Sequence, residues 1–226
     1  MPSWEDVLAV LATPLEDLVD AGNHVPFSDA VDDWDLPVAD RRSLLRWGLP
    51  RRRAPRADPQ LEPFPTLAPN VAGEVERRFI SPEQRLYRLG HWDLIEETGP
   101  TVGAVAGDGR VLGIKPAPWT TADLSPSLRT YYPDLHIPSV SFINSSVSQF
   151  VECSWRWHSA EVILEAAMED GLTELNARRD DRTAYRAYAE AVRTCSRDFL
   201  RGLSELDPGI SAAEPQSLWV QLILED

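Results

Sequence analysis

Cysteine is scarce in this chain of 226 residues: only Cys153 and Cys195 occur, far apart in sequence. Two thiols at that spacing exclude a disulfide framework and a cysteine-based zinc site, and both are expected to be reduced and half-buried. Long apolar runs are missing too. No stretch reaches the roughly 20 residues of a bilayer-spanning helix, and the start MPSWEDVLAV lacks the basic region of a signal peptide, so the cytoplasm is the expected location. Positive charge is in deficit, with 22 basic against 36 acidic residues and a net charge of -14. Phosphate contacts need a clustered basic surface, so nucleic acid and anionic membranes are disfavoured as partners and a basic protein is favoured. Acidity also serves solubility alone. Lysine is nearly absent, Lys115 being the only one; with alanine and proline frequent, that bias reflects coding rather than mechanism.

What is present is ordinary globular material, 43% hydrophobic and 26% charged, and the length suits one domain with an appendage. Trp4, Val7, Leu8, Leu11, Leu15, Leu18 and Val19 recur at helical spacing, with Ser3 as cap. Thr13-Pro14-Leu15-Glu16 interrupts them, with Thr13 as a second cap, Pro14 first in the helix and Glu16 in the reciprocal position. Two short acidic helices are expected, the second closing near Gly22. SDAVDDWDLPVAD at 28–40 reads as a loop with Trp34 tucked in. The arginine-rich block that follows carries Leu44, Leu45 and Trp47 and predicts a short helix ended by Gly48 and Pro50. The acidic and basic blocks are placed to pair. Residues 54–70, with closely spaced prolines, predict an extended connection anchored by Phe64 and Leu67.

The pattern then turns from helical to alternating. RLYRLGHWDL, PTVGAVAGDGRVLGIKP and PSVSFIN predict antiparallel strands, with a hairpin tip at Gly107-Asp108-Gly109. GAVAGDG lacks the GK[ST] ending of a phosphate loop. After Ser146 a helical stripe through Val147, Phe150, Val151, Ser154, Trp155, His158 and Val162 leaves Arg156 and Glu161 off it. A further helix is expected from about Thr183 to Leu206, ended by Asp207-Pro208-Gly209. SLWVQLILED reads equally as strand or short helix. Helices, strands, then helices predict an α+β fold, an antiparallel sheet packed against helices.

Catalytic patterns fail one by one. FINSSVSQF could hold a nucleophile, yet it has none of the glycines of GxSxG. Ser146 with Gln149 three residues on instead predicts a helix capping box after a corner at Asn144 and Ser145. His24, His91, His136 and His158 have no partner at metal-ligand spacing. His91 and Asp93 share one strand face and read as an ion pair before a base and its orienter, while Glu96 and Glu97 face apart. No catalytic residue, metal site or cofactor is therefore assigned.

WGLP at 47–50, RLYRLGHWD, TVGAVAGDGRV, FINSSVSQFVECSWRW, and LDPG followed by SLWVQLILED resemble the SUKH superfamily of bacterial immunity proteins, its fourth subfamily in particular. The resemblance runs from about Arg41 to the C-terminus, so the expected organisation is an acidic N-terminal helical extension over 1–40 and a SUKH-like domain over 41–226. It implies a sheet backed by helices, no catalytic residues, and an antitoxin that neutralises a nuclease or deaminase toxin domain by stoichiometric occlusion. Leu49, Pro50, Asn144, Ser145, Ser146 and Phe150 enter as structural signature positions. The most loop-like aromatic and acidic stretch is WTTADLSPSLRTYYPDL at 119–135, which makes Trp119, Asp123, Tyr131, Tyr132 and Asp134 the candidate partner-binding residues. A cytoplasmic scaffold of the same fold is the alternative.

Overall fold

The computed structural model describes residues 3–51, 55–92, 99–177, 182–213 and 216–224. It opens with α1 (Trp4–Ala9), a 3-10 turn (Val10–Ala12) and the single-turn α2 (Leu15–Leu18). Ser3 caps α1 in a closed box: its hydroxyl accepts the Asp6 N–H at 3.3 Å, and the Asp6 carboxylate accepts the Ser3 N–H at 2.7 Å. Thr13 does not repeat this. Its hydroxyl donates back to the Ala9 carbonyl at 3.0 Å, and Pro14, with an extended ψ of 140°, becomes the cap itself, so α2 starts one residue late and stops before Gly22.

β1 (His24–Val25) and a 3-10 turn (Asp29–Asp33) lead into α3 (Val38–Trp47). Trp34 is tucked in as expected, stacked on Tyr87 at 4.5 Å with its indole N–H on the Glu62 carbonyl. Arg41 reaches back into the acidic stretch, but to its backbone, donating to the carbonyls of Trp34 and Leu36. α3 ends where Gly48 turns at φ 54°, a conformation that strains any residue with a side chain, and Leu49 and Pro50 form β2, paired with β1. Val7, Val10, Phe27, Val31 and Trp34 lie in the same buried cluster as the sheet and the long helices.

β3 (Arg56–Ala57), α4 (Glu74–Arg77), β4 (Leu86–His91), β5 (Thr101–Val105) and β6 (Val111–Ile114) come next. An excursion holding β7 (Trp119–Thr120), α5 (Pro126–Arg129) and β8 (His136–Ile137) then precedes β9 (Val140–Asn144). The main sheet has the order β3-β4-β5-β6-β9, antiparallel throughout. Gly107 and Gly109 adopt φ 89° and 77° at the predicted tip, and a Cβ on Gly109 would strike the Asp40 carboxylate. Of the two expected anchors of the 54–70 connection, Leu67 pairs with Leu86 across a bridge, whereas Phe64 is 75% exposed. Backbone bonds hold that stretch instead, and they need no buried ring.

The C-terminal part is helical: α6 (Val147–Ala177), α7 (Arg182–Leu206), α8 (Gly209–Ala212) and α9 (Leu218–Leu224). Of SLWVQLILED, Leu218–Leu224 therefore resolve as helix, entered through a bridge from Ser217 to Phe142. α6 departs from its expected stripe in two places. Val162 is 50% exposed, and Arg156 is 6% exposed. The buried guanidinium donates to the carbonyls of Val10 and Thr13 at 2.6 and 3.0 Å and to Glu152 at 2.7 Å, which satisfies its fork and ties the N-terminal turns to α6.

Candidate partner-binding site

The polar corner after β9 is a structural joint. Asn144 and Asp207 are fully buried. One Asp207 oxygen accepts the Ser145 N–H at 2.7 Å and the Asn144 amide at 2.9 Å; the other accepts the Ser145 hydroxyl at 2.7 Å and the Gly209 N–H at 3.0 Å. The Asn144 side-chain carbonyl accepts the Trp219 indole N–H at 2.9 Å. FINSS, LDPG and SLW, far apart in sequence, thus meet in one network that fixes β9, the end of α7 and α9. Ser146 accepts the Gln149 N–H at 3.2 Å as the predicted cap. The Gln149 side chain closes only half of the expected box: its oxygen takes the Ser146 hydroxyl, and its amide reaches the Leu206 carbonyl. A second carboxylate supports the same helix start, since Asp40 from α3 accepts both the N–H and the hydroxyl of Ser148 at 2.8 and 2.6 Å.

The other signature positions are structural as well. Leu49 and Pro50 are buried in β2, Phe150 is 1% exposed, and the Trp155 indole donates to the carbonyls of Trp47 and Gly48, bringing SWRW onto WGLP. Both cysteines are free and fully buried rather than half-buried, and burial pushes both thiols up, away from the reactive thiolate. His91 lies beside Arg88 and 3.7 Å from Asp58. Asp93, Glu96 and Glu97 fall outside the described residues. Among the described residues, no group of three His, Cys, Asp or Glu side chains is placed to hold a metal ion, and no helix is long and apolar enough to cross a membrane.

The 115–139 excursion leaves the sheet between two paired strands, with Ile114 opposite Val140 and the Lys115 N–H on the Ser139 carbonyl at 2.8 Å. It is built from its own contacts. β7 pairs with β8, and the Thr121 hydroxyl donates to the carbonyls of Tyr132 and Pro133 while accepting the Leu135 N–H. Arg129 donates to the carbonyls of Leu124 and Ala122. On this frame Trp119 is 47% exposed, Tyr131 77% and Tyr132 54%, and Asp134 is also exposed. Asp123 differs in use. Its carboxylate is taken by the N–H and hydroxyl of Thr120 in a capping box, and the Thr120 backbone bond, then the hydroxyl, hold it below the usual carboxylate range.

Glu76, fully buried in α4, secures the excursion's stem by accepting the N–H and hydroxyl of Ser139, both at 3.2 Å. Burial alone would raise its carboxyl. Bonds from its own N–H, the Ser139 N–H and the Ser139 hydroxyl outweigh that and hold it low. A carboxyl lowered in the folded state stabilises above the ordinary glutamate range, and that contribution is lost as pH falls through the folded value. Glu76→Gln is therefore expected to lower stability at pH 7, with the gap to wild type closing below about pH 4. Urea melts across that range check it; a constant gap would contradict it. Neither the Glu76 bond to Ser139 nor the Asp207 bonds to Asn144 and Ser145 were legible in the sequence, because they span 62 residues or more and leave no local spacing to read.

An antiparallel sheet backed by helices, with a polar signature spent on the joint between them and aromatic side chains exposed on a braced excursion, defines an α+β protein. The chain belongs to the SUKH-4 immunity protein family, whose model matches residues 10–226. No curated protein and no solved structure matches it. The match begins well before Arg41, where the sequence motifs first carry the resemblance.

Proposed function

We propose that this chain is a non-catalytic antitoxin of a bacterial polymorphic toxin system, binding a cognate basic toxin domain, a nuclease or deaminase, in the cytoplasm and neutralising it by stoichiometric occlusion. The observation that carries the reading is the immunity-family match over nearly the whole chain. The net charge of -14 supports a basic partner, since complementary fields speed encounter and a nuclease presents a basic substrate-binding surface. Trp119, Tyr131, Tyr132 and Asp134 are the contact residues of this reading, with Asp123 holding the backbone of β7 in place. Exposed aromatics on a rigid frame are the usual anchors of interfaces.

Co-expression with the toxin domain encoded beside its gene tests this. Wild type is expected to capture the toxin and rescue growth. Tyr131→Ala with Tyr132→Ala is expected to weaken capture by about thirtyfold, as for a lost hot spot of about 2 kcal/mol, with an unchanged melting temperature. Equal toxicity with and without the chain would end the proposal.

A further inference from the structure

α7 has a groove on each flank, and the two differ in charge. One is lined by Trp4, Glu5 and Leu8 of α1 and by Ala187, Glu190, Ala191, Thr194, Cys195 and Asp198 of α7. Its floor is apolar, and the small side chains of Ala187 and Ala191 leave room for another backbone to approach. Its charged lining residues are all carboxylates. The groove on the opposite flank has Arg193 and Arg197 at its edge. The acidic character continues away from α7: Asp6, Glu16, Asp17 and Asp20 are exposed, and the first forty residues contain no lysine or arginine.

We infer that the groove between α1 and α7 is a docking site for a basic amphipathic helix of the partner. Its apolar side chains would lie over Trp4, Leu8 and Ala191, and its cations would meet Glu5, Glu190 and Asp198. The inference rests on the basic-partner reading above and adds a surface distinct from the aromatic excursion. A trough with an apolar floor is the form that receives a helix laid in by one face, and the carboxylates decide which helix it takes. Two of these carboxylates already have internal partners: Glu190 with Arg193 at 3.2 Å and with Arg197 at 3.9 Å, and Asp198 with Arg201 at 2.9 Å. The Glu190 pairs are exposed on both sides and contribute little, so a partner's cation displaces those arginines at small cost.

The probe is a labelled peptide of about 15 residues with leucines on one face and lysines and arginines on the other, compared with a counterpart carrying glutamates. Wild type is expected to bind the basic peptide and not the acidic one, more weakly as salt is raised from about 50 to 200 mM. Ala187 is exposed, so Ala187→Arg is expected to fold normally while weakening the basic peptide by about tenfold. Asp29→Arg, an exposed charge change on the 3-10 turn away from the groove, is expected to leave binding within about twofold. Absence of binding to wild type, equal binding of the acidic peptide, no effect of Ala187→Arg, or an equal loss with Asp29→Arg would each overturn the inference. No toxin enters this measurement. Its failure therefore leaves the antitoxin proposal standing, and failure of toxin neutralisation leaves the peptide result readable.

Discussion

Replacing Asp207 with alanine is expected to lower stability by about 3 kcal/mol, the scale of losing several charge-assisted hydrogen bonds in a buried site. In a chain of this size that corresponds to a fall in melting temperature of roughly 6–12 °C. The side chain accepts the N–H groups of Ser145 and Gly209, and it also holds the Asn144 amide, whose carbonyl anchors Trp219. Its removal strands donors at the end of β9 and loosens α9 through the indole. Ser145→Ala is the control, because it removes one hydroxyl and leaves the backbone bond, with an expected cost of about 1 kcal/mol. Urea unfolding distinguishes the two. A loss below about 1 kcal/mol for Asp207→Ala would mean that the joint is not the point of stability that its geometry implies.

Arg156→Met is the second large effect, again about 3 kcal/mol, because it leaves Glu152 without its partner, takes the guanidinium from the Thr13 carbonyl, and leaves the Val10 carbonyl with the Thr13 N–H alone. The local consequence is more telling than the global one. Amides from Val7 to Leu18 are expected to exchange faster with deuterium than the sheet amides, since the clamp between the 3-10 turn and α6 is gone. Uniform exchange across both regions would show that apolar packing of Val7 and Val10 suffices without the guanidinium.

These two residues mark the limit of what the sequence allowed. The hairpin at Gly107-Asp108-Gly109, the helix ending at Gly48 and the cap at Ser146 were legible because each is decided within a few residues by backbone freedom or a nearby side chain. Asp207 read only as the start of a helix-ending turn, and Arg156 only as a polar residue off an apolar stripe. Their roles come from partners on other elements, which no periodicity encodes. The same reasoning explains the first forty residues. Val10, Leu18 and Trp34 join the common core as single apolar positions without a motif, so the motifs placed the start of the resemblance at Arg41 although the family match extends to residue 10. At the candidate site the exposure of Trp119, Tyr131 and Tyr132 was legible from the loop-like composition around them. Asp123 was not, because a capping carboxylate and a partner-facing one look alike until the Thr120 bonds are seen.

The most direct test of the account is a titration of the purified cognate toxin's activity with the purified chain. Neutralisation by occlusion predicts a linear loss of activity with a break at equimolar protein. Activity that persists at excess chain, or that vanishes at far less than one equivalent, would contradict it.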